Sequence, residues 1–152
     1  MFKVSSKGRY AVKAVYELAR HMGAGPLTVA SIAQAQNIPE QYLEQLMPSL
    51  KRAGLVRGMR GAQGGYQLAR SPMETSVRDV VAAVEGPIMV AECASEEGPG
   101  CVEMNWCIGP DVWTRVQEAV DEAMSRITMD QLIRESARGL HLAKPIAKGG
   151  IG

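Results

Sequence analysis

The chain has 152 residues, of which 46% are hydrophobic and 22% charged, and this composition is typical of one globular domain or of a small domain with an assembly element. No apolar run is long enough to span a bilayer, so we expect no membrane-spanning segment. The net charge of +1 hides an asymmetry: residues 1–72 contain ten Lys and Arg against three acids, whereas residues 73–143 contain five Arg against thirteen acids. A basic half joined to an acidic half favours a polyanion-binding module attached to a second element, with accidental unevenness as the alternative.

Three helices are predicted at the start of the chain, where apolar residues recur every three or four positions. Each begins behind a capping residue or a proline and ends at a glycine or a turn. Pro48 lies inside the third helix and is expected to bend or weaken its last turns, because proline removes a backbone donor. The predicted spans are residues 6–22, 29–36 and 39–53.

A two-stranded hairpin is predicted next, because two short apolar runs, 55–57 and 66–68, flank a glycine-rich loop. The loop differs from a nucleotide-binding loop in its glycine spacing. It also lacks the Lys-Ser/Thr pair of a P-loop and leads into a strand-like run instead of a helix. A turn is therefore the favoured interpretation of residues 61–65.

Three further helices are predicted after the hairpin. Ser76 with Asp79, and Thr128 with Gln131, have the spacing of capping boxes that open a fourth helix to residue 85 and a sixth to residue 138. The long helix between them begins near Asp111 and has a narrow apolar stripe. The stripe lacks core partners in its own chain, which favours a seam between two copies; packing on the first helix is the alternative. The stripe consists of Val112, Val116, Ala119, Val120, Ala123 and Ile127.

Three cysteines, Cys93, Cys101 and Cys107, lie within fifteen residues, and the chain has no others. An odd number of thiols argues against a disulfide framework. Thiolates are soft ligands, so a Gly/Pro-containing loop with three of them fits an iron–sulfur cluster or zinc, and the spacing does not decide between the two. Three unpaired surface cysteines are the alternative. We expect a cytoplasmic location, since reducing conditions suit such a site and no signal peptide is evident.

Catalysis finds no support in the sequence. The two histidines, His21 and His141, lie at a helix end and in the tail, and no nucleophile–base set or paired carboxylates stand out. We therefore expect that the protein is not an enzyme. Residues 140–152 have little to bury and are expected to form a disordered tail.

The order of the elements is that of a winged helix-turn-helix, so the predicted fold class is mainly α, with a β-hairpin wing and a long dimerisation helix. In such modules a helix enters the major groove of double-stranded DNA. Glu44 and Gln45 are expected to read bases, because a carboxylate accepts from cytosine and an amide pairs with adenine. Arg60 at the hairpin tip suits a narrow minor groove. Phosphate contacts, which position without specifying sequence, are expected from Lys7, Arg9, Lys51 and Arg52.

Four motifs together resemble the iron–sulfur-cluster regulators (IscR-type, Rrf family), over roughly residues 1–138. They are residues 6–11, 42–46, 54–56 and 60–66. The resemblance implies a homodimer that represses or activates transcription, and its two-fold symmetry would match a palindromic operator. It also implies a 2Fe–2S cluster on Cys93, Cys101 and Cys107. It places base reading on Glu44 and Gln45, with Gln41 and Tyr42 beside them, and the minor-groove arginine on Arg60.

The fourth cluster ligand is where the chain departs from the family. The best-known members use a histidine three residues after the last cysteine, and here that position is Pro110. Nitric-oxide-sensing relatives use a carboxylate of the partner's first helix, and residues 5–10 contain none. Oxygen ligands or an open site would make a cluster labile, as suits a sensor. The remaining candidates are Glu96, Glu97, Glu103, Asp111, solvent or a small thiol.

The sequence leaves three hypotheses for the function. The first hypothesis is a dimeric regulator whose cluster state controls operator binding, in iron–sulfur biogenesis or a redox or nitric-oxide response. The second is a cluster-free regulator of the same fold that answers to cysteine oxidation, zinc or a partner enzyme. The third is an iron–sulfur carrier or redox protein.

The predicted organisation of the chain has four parts. They are a DNA-binding domain (1–86), a cysteine loop (87–110), a dimerisation helix with a short C-terminal helix (111–139) and the tail (140–152).

Overall fold

The computed structural model describes residues 3–91 and 107–139. Over these ranges the chain forms six α-helices, a single 3-10 turn at Pro72–Glu74 and one antiparallel hairpin, in the order predicted. No helix of the described ranges is both long and apolar enough to cross a membrane. The helices are α1 (Ser6–Arg20), α2 (Val29–Gln36), α3 (Glu40–Arg52), α4 (Val77–Glu85), α5 (Gly109–Arg126) and α6 (Met129–Ala137), and the strands are β1 (Val56–Met59) and β2 (Gly65–Leu68).

The two predicted capping boxes have different outcomes. At the start of α4 the Ser76 hydroxyl accepts from the Asp79 N–H at 3.1 Å, and the Asp79 carboxylate accepts from the Ser76 N–H at 3.1 Å, so this box is confirmed. At the start of α6 the Thr128 hydroxyl accepts from the Gln131 N–H. The second half of that box is wrong, because the Gln131 side chain donates to Glu135 one turn further on.

A tight turn joins α2 to α3. Asn37 ends α2 in the left-handed region, with φ 53° and ψ 53°, which asparagine tolerates better than most residues. Ile38 follows as a buried side chain, and Pro39 precedes the first turn of α3. The helix continues through Pro48 to Arg52, so the internal proline does not end it.

The hydrophobic core is built around α1, on which α2, α3, α4, α6 and β2 all pack. Its inward face repeats at three- and four-residue intervals, as an amphipathic helix requires. Met129 of α6 is fully buried in the same core, so the C-terminal helix closes the domain that the N-terminal helices begin. The most buried side chains of this core include Ala11, Val15, Leu18, Ile32, Leu43, Met47, Leu50, Leu55 and Val80.

Besides the core packing of Val56 and Leu68, a backbone bridge joins the hairpin to the connection between α1 and α2. Its strands pair from Val56 with Leu68 to Met59 with Gly65. The next residue, Tyr66, exchanges two backbone hydrogen bonds with Leu27, of 2.7 and 2.9 Å, in the connection between α1 and α2. This bridge sets the direction in which the hairpin leaves the domain.

The long helix α5 is held mainly by α4 and by a bridge at its C-terminal end. There the Val77 N–H donates to the Ile127 carbonyl at 2.8 Å, and the Met129 N–H donates to the Thr75 carbonyl at 2.9 Å. None of the eighteen residues of α5 is buried. The helix is therefore attached along one side and open on the others.

Candidate nucleic-acid interface and metal site

The predicted base-reading residues lie together on the outer face of α3. The inner face of this helix is buried in the core through Leu43, Leu46, Met47 and Leu50. Gln41, Glu44 and Gln45 are exposed on the other side, and none of the three side chains hydrogen-bonds to a described residue. This face presents two amides and a carboxylate, the groups that can pair with base edges in a major groove.

Tyr42, predicted to lie beside the reading pair, is half-buried. Its ring meets the ring of Tyr10 edge to face, with centroids 5.3 Å apart and an interplanar angle of 81°. Aromatic pairs favour this arrangement because the positive ring edge faces the negative ring face. The pair packs α1 against α3 and so contributes to the orientation of the outer face of α3.

The cations predicted to contact DNA, by phosphate or minor groove, are exposed on α1, on α3 itself and at the hairpin tip. Lys7 and Arg9 lie in the first turn of α1, where the Arg9 guanidinium donates to Ser6 at 3.0 Å. The ammonium of Lys51, in the last turn of α3, lies 3.8 Å from where a side chain on Gly58 of β1 would begin. Arg60 is exposed and follows β1 directly, at the hairpin tip. The structure thus brings Lys51 next to the hairpin.

A carboxylate that the sequence did not predict orients the first turn of α1. Glu85, at the end of α4, accepts from the N–H groups of Ser5 and Gly8, both at 3.0 Å, and from the Ser5 hydroxyl. Gly8 leaves the room for it, since a Cβ there would stand 2.7 Å from the carboxylate oxygen. This contact fixes the turn that holds Lys7 and Arg9. A glutamate at a helix end carries no local signal of a partner so far away in sequence.

Cys107 is the one predicted cysteine ligand within the described ranges. Its half-buried sulfur accepts from the Gly109 N–H at 3.3 Å, at the point where α5 begins. Backbone hydrogen bonds of this kind tune thiolates that hold iron–sulfur clusters, and a soft sulfur donor fits such a cluster or zinc. Cys93, Cys101 and three of the candidate acids lie outside the described residues. Within residues 3–91 and 107–139, no three or more His, Cys, Asp or Glu side chains lie close enough together to hold a metal ion.

The predicted seam of α5 is mostly open. Val112, Val116 and Ile127 are 41, 39 and 37% exposed, and Ala119 and Ala123 are exposed between them. Val120 departs from the prediction, because it is half-buried. The alternative of packing on the first helix is not what is seen, since α5 packs chiefly on α4.

The histidine noted in the sequence has a structural environment. The Nδ1 atom of His21 lies 3.0 Å from the backbone carbonyl of Glu17 and 3.4 Å from its carboxylate, one turn earlier in the same helix. The Glu17 carboxylate is itself buried and also accepts from the Gln36 amide at 2.6 Å. These contacts connect α1 to the end of α2.

Comparison with known proteins gives a consistent result. Residues 4–135 match the model of the Rrf2 family, described as an iron-dependent transcriptional regulator. The HTH-type transcriptional regulator CymR of Bacillus subtilis is 40% identical over 130 residues, which cover 86% of this chain and 88% of the relative. The solved structure of IscR from T. potens has a TM-score of 0.73 and 35% identity, covering 97% of this chain and 93% of that one. The structure of CymR, titled the global cysteine regulator of B. subtilis, has a TM-score of 0.73 and 38% identity, covering 88% of this chain and 98% of that one.

Proposed function

We propose that this chain, which belongs to the Rrf2 family of transcriptional regulators, is a homodimer whose cysteine loop binds a 2Fe–2S cluster and whose cluster state controls operator binding. The family makes it a DNA-binding regulator and not an enzyme. The observation that supports cluster control best is the position of Cys107. It lies two residues before the helix that has an open apolar face, so ligand binding there acts on the element that would join two copies.

DNA recognition is proposed to use α3 and the hairpin together. The outer face of α3 enters the major groove, where Glu44 and Gln45 reach base edges and Gln41 and Tyr42 lie beside them. Arg60 enters the adjacent minor groove. Exposure of Gln41, Glu44 and Gln45 on one helix face, with exposed cations on α1, α3 and the hairpin, supports this assignment. The phosphate contacts are assigned to Lys7, Arg9, Lys51 and Arg52.

Replacing Glu44 with Ala is expected to relax the preference for cytosine at one operator position. The lost discrimination should be roughly 1–3 kcal/mol, because one side-chain contact to a base edge is removed. The operator is first selected from random duplexes with the parent protein. Binding of the selected duplex and its single-base variants is then compared by fluorescence anisotropy.

The matched control is Glu74→Ala, which removes the same charge from an exposed residue of the 3-10 turn. It should keep the parent's preference at every position. If Glu44→Ala ranks all the duplexes as the parent does, Glu44 does not contact a base. The assignment of the reading face is then wrong.

The cluster is proposed to be held by Cys93, Cys101 and Cys107. The fourth ligand comes from Glu96, Glu97, Glu103 or Asp111, from solvent or from a small thiol. When bound, the cluster supplies a redox-active iron centre that oxidants or nitric oxide can alter. The chain's own part is to order the loop between α4 and α5, and two arrangements of that loop would have different affinities for DNA.

The proposal is tested by purifying the protein without oxygen. The parent is expected to be coloured and to contain iron and sulfide in the ratio of a 2Fe–2S cluster, and Cys107→Ala to lose both. Cluster-loaded and cluster-free protein should differ in affinity for the selected duplex. Binding should weaken steeply with salt, because phosphate contacts release counterions. A folded, iron-free parent would reject the cluster and leave the DNA assignment standing.

The second hypothesis is favoured by the relative titled a global cysteine regulator, to which this chain is similar over most of its length. On this hypothesis the cysteines respond to oxidation, zinc or a partner enzyme instead of a cluster. Two results would favour it: zinc in place of iron in the purified protein, or regulation of DNA binding that survives replacement of all three cysteines by Ala.

A further inference from the structure

The direction of α5 relative to its own domain depends on few apolar contacts. None of its eighteen residues is buried. Beyond the first turn of the helix, four residues are half-buried, and their three- and four-residue spacing places them on one face. Two of the four are polar, so hydrogen bonds and an ion pair have a large share in holding this helix. The four are Gln117, Val120, Asp121 and Met124.

Gln117 provides the attachment in the middle of α5. Its Nε2 donates to the Ile88 carbonyl at 2.6 Å, and its Oε1 accepts from the Val90 N–H at 3.0 Å, in the segment that follows α4. The second N–H of the amide donates to the Asp121 carboxylate at 3.3 Å, which determines the end of the amide that faces each backbone group. Asp121 also forms an ion pair with Arg78 of α4, at 3.5 Å. The amide and the carboxylate thus connect α5 to α4 and to the segment after it.

A second attachment lies at the C-terminal end of α5. There the Ile127 carbonyl accepts from the Val77 N–H, and Met129 is buried in the core. Gln117 is ten residues before Ile127, which is about 15 Å along the helix axis. Two attachments this far apart fix the direction of a helix. Without the hydrogen bonds of Gln117, the helix is held chiefly at its C-terminal end and is free to pivot there, because the ion pair that remains is partly exposed and weak.

The direction of α5 determines how two DNA-reading helices are placed if two copies meet along its open stripe. Each domain is carried by its own α5, so a change in this angle changes the separation and the relative rotation of the two α3 helices. Half-sites one helical turn apart are separated by about 34–36 Å or 10–10.5 base pairs, so one added base pair shifts a half-site by about 3.4 Å and turns it by about 34°. A dimer with a fixed α5 angle therefore distinguishes operators that differ by one base pair in half-site spacing.

We propose that Gln117 is a positioning residue that fixes the angle of α5 on its domain and thereby sets the half-site spacing that the dimer accepts. The inference rests on the proposed function, since the spacing depends on a dimer formed along α5. The angle itself can be measured within one chain, so the inference and the proposed dimer fail separately.

The first experiment compares the tolerance of Gln117→Leu and of the parent for changes in half-site spacing. Binding of the selected palindrome is measured by fluorescence anisotropy beside two duplexes whose centre is one base pair longer or shorter. The parent should bind the selected spacing about tenfold more tightly than either neighbour, and Gln117→Leu only about two- to threefold more tightly, because two hydrogen bonds that hold the angle are lost. Affinity for a single half-site should not change, since α3 is untouched.

The matched control is Gln131→Leu. Gln131 is a glutamine of α6 whose amide donates to Glu135 of its own helix, so this variant should keep the parent's preference for spacing. Gln117→Glu accepts from the Val90 N–H but cannot donate to the Ile88 carbonyl, and it should give a ratio of affinities between those of the parent and Gln117→Leu. Circular dichroism checks the fold of each variant. If the leucine variant does not fold, the comparison is made with Gln117→Glu.

The second experiment measures the angle of α5 within one chain, without a cluster or DNA. Spin labels are attached at two exposed positions by Lys13→Cys in α1 and Glu118→Cys in α5, in protein whose three native cysteines are replaced by Ser. Labelled chains are diluted with unlabelled chains, so that a dimer contains one labelled chain. Double electron–electron resonance should give one narrow distance distribution in the parent. The distribution should be about twofold wider in Gln117→Leu, because residue 118 lies about 13 Å from the pivot at residue 127.

A parental distance distribution in folded Gln117→Leu would overturn the inference. A wider distribution in a protein that sediments as a monomer would support the positioning of α5 and reject the proposed dimer. A wider distribution in a dimer whose preference for spacing equals the parent's would show that the angle of α5 does not set the operator spacing, and would overturn that part of the inference.

Discussion

Replacing Val116 with Glu is expected to convert the proposed dimer into monomers and to weaken binding to a palindromic duplex by about 10²–10⁴-fold. Val116 lies at the middle of the open stripe of α5. A carboxylate there would have to be buried without a partner when two copies meet. Two separate monomers bind the two half-sites independently. They lose the high effective concentration that the second DNA-binding domain of a dimer has once the first is bound, which accounts for the size of the effect.

The measurement combines sedimentation with DNA titration. Molecular mass should fall to that of one chain, and affinity for a single half-site should stay near the parent's, since α3 is untouched. Thr114→Glu adds the same charge to the same helix on its polar side, and should leave both mass and palindrome binding unchanged. A dimeric Val116→Glu protein would show that the two copies meet elsewhere.

Replacing Gly65 with Ala is expected to lower the free energy of unfolding by about 2–6 kcal/mol and to displace the hairpin. Gly65 has a φ of 150°, a region that is essentially restricted to glycine and costs other residues about 1–3 kcal/mol. A Cβ would also overlap the Leu27 carbonyl, which accepts from Tyr66 in the bridge that fixes the hairpin. Losing its two hydrogen bonds adds about 0.5–1.5 kcal/mol each.

Urea denaturation followed by circular dichroism measures this loss. Gly58→Ala is the matched control within the same hairpin, because a Cβ there meets its nearest atoms at 3.8 and 3.9 Å, which is ordinary contact. Its stability should change by no more than about 0.5 kcal/mol. Gly65→Ala should also weaken DNA binding through the displaced Arg60. Equal stability of the two variants would show that the Leu27 bridge does not hold the hairpin.

Much of the fold could be predicted because its signals are local. Ser76 and Asp79 lie three residues apart, and this spacing predicts their capping box. The hairpin is predicted by two apolar runs around glycines. The same holds for the outer face of α3, where Glu44 and Gln45 are spaced between apolar residues that had to be buried. The prediction for Thr128 was half wrong for a local reason too, because the Gln131 side chain hydrogen-bonds to Glu135 one turn further on.

The sequence by itself determined the order of helices and strands, the family, the three grouped cysteines and the open stripe of α5, since each depends on residue type and spacing within a few turns. Only the tertiary structure decided which distant groups meet. The Glu85 carboxylate caps a helix that begins 79 residues before it. The side-chain amide of Gln117 hydrogen-bonds to Val90 and Ile88, 27 and 29 residues before it in the chain. Such contacts depend on how helices pack against one another, and hydrogen bonds between distant residues leave no periodic trace in the chain.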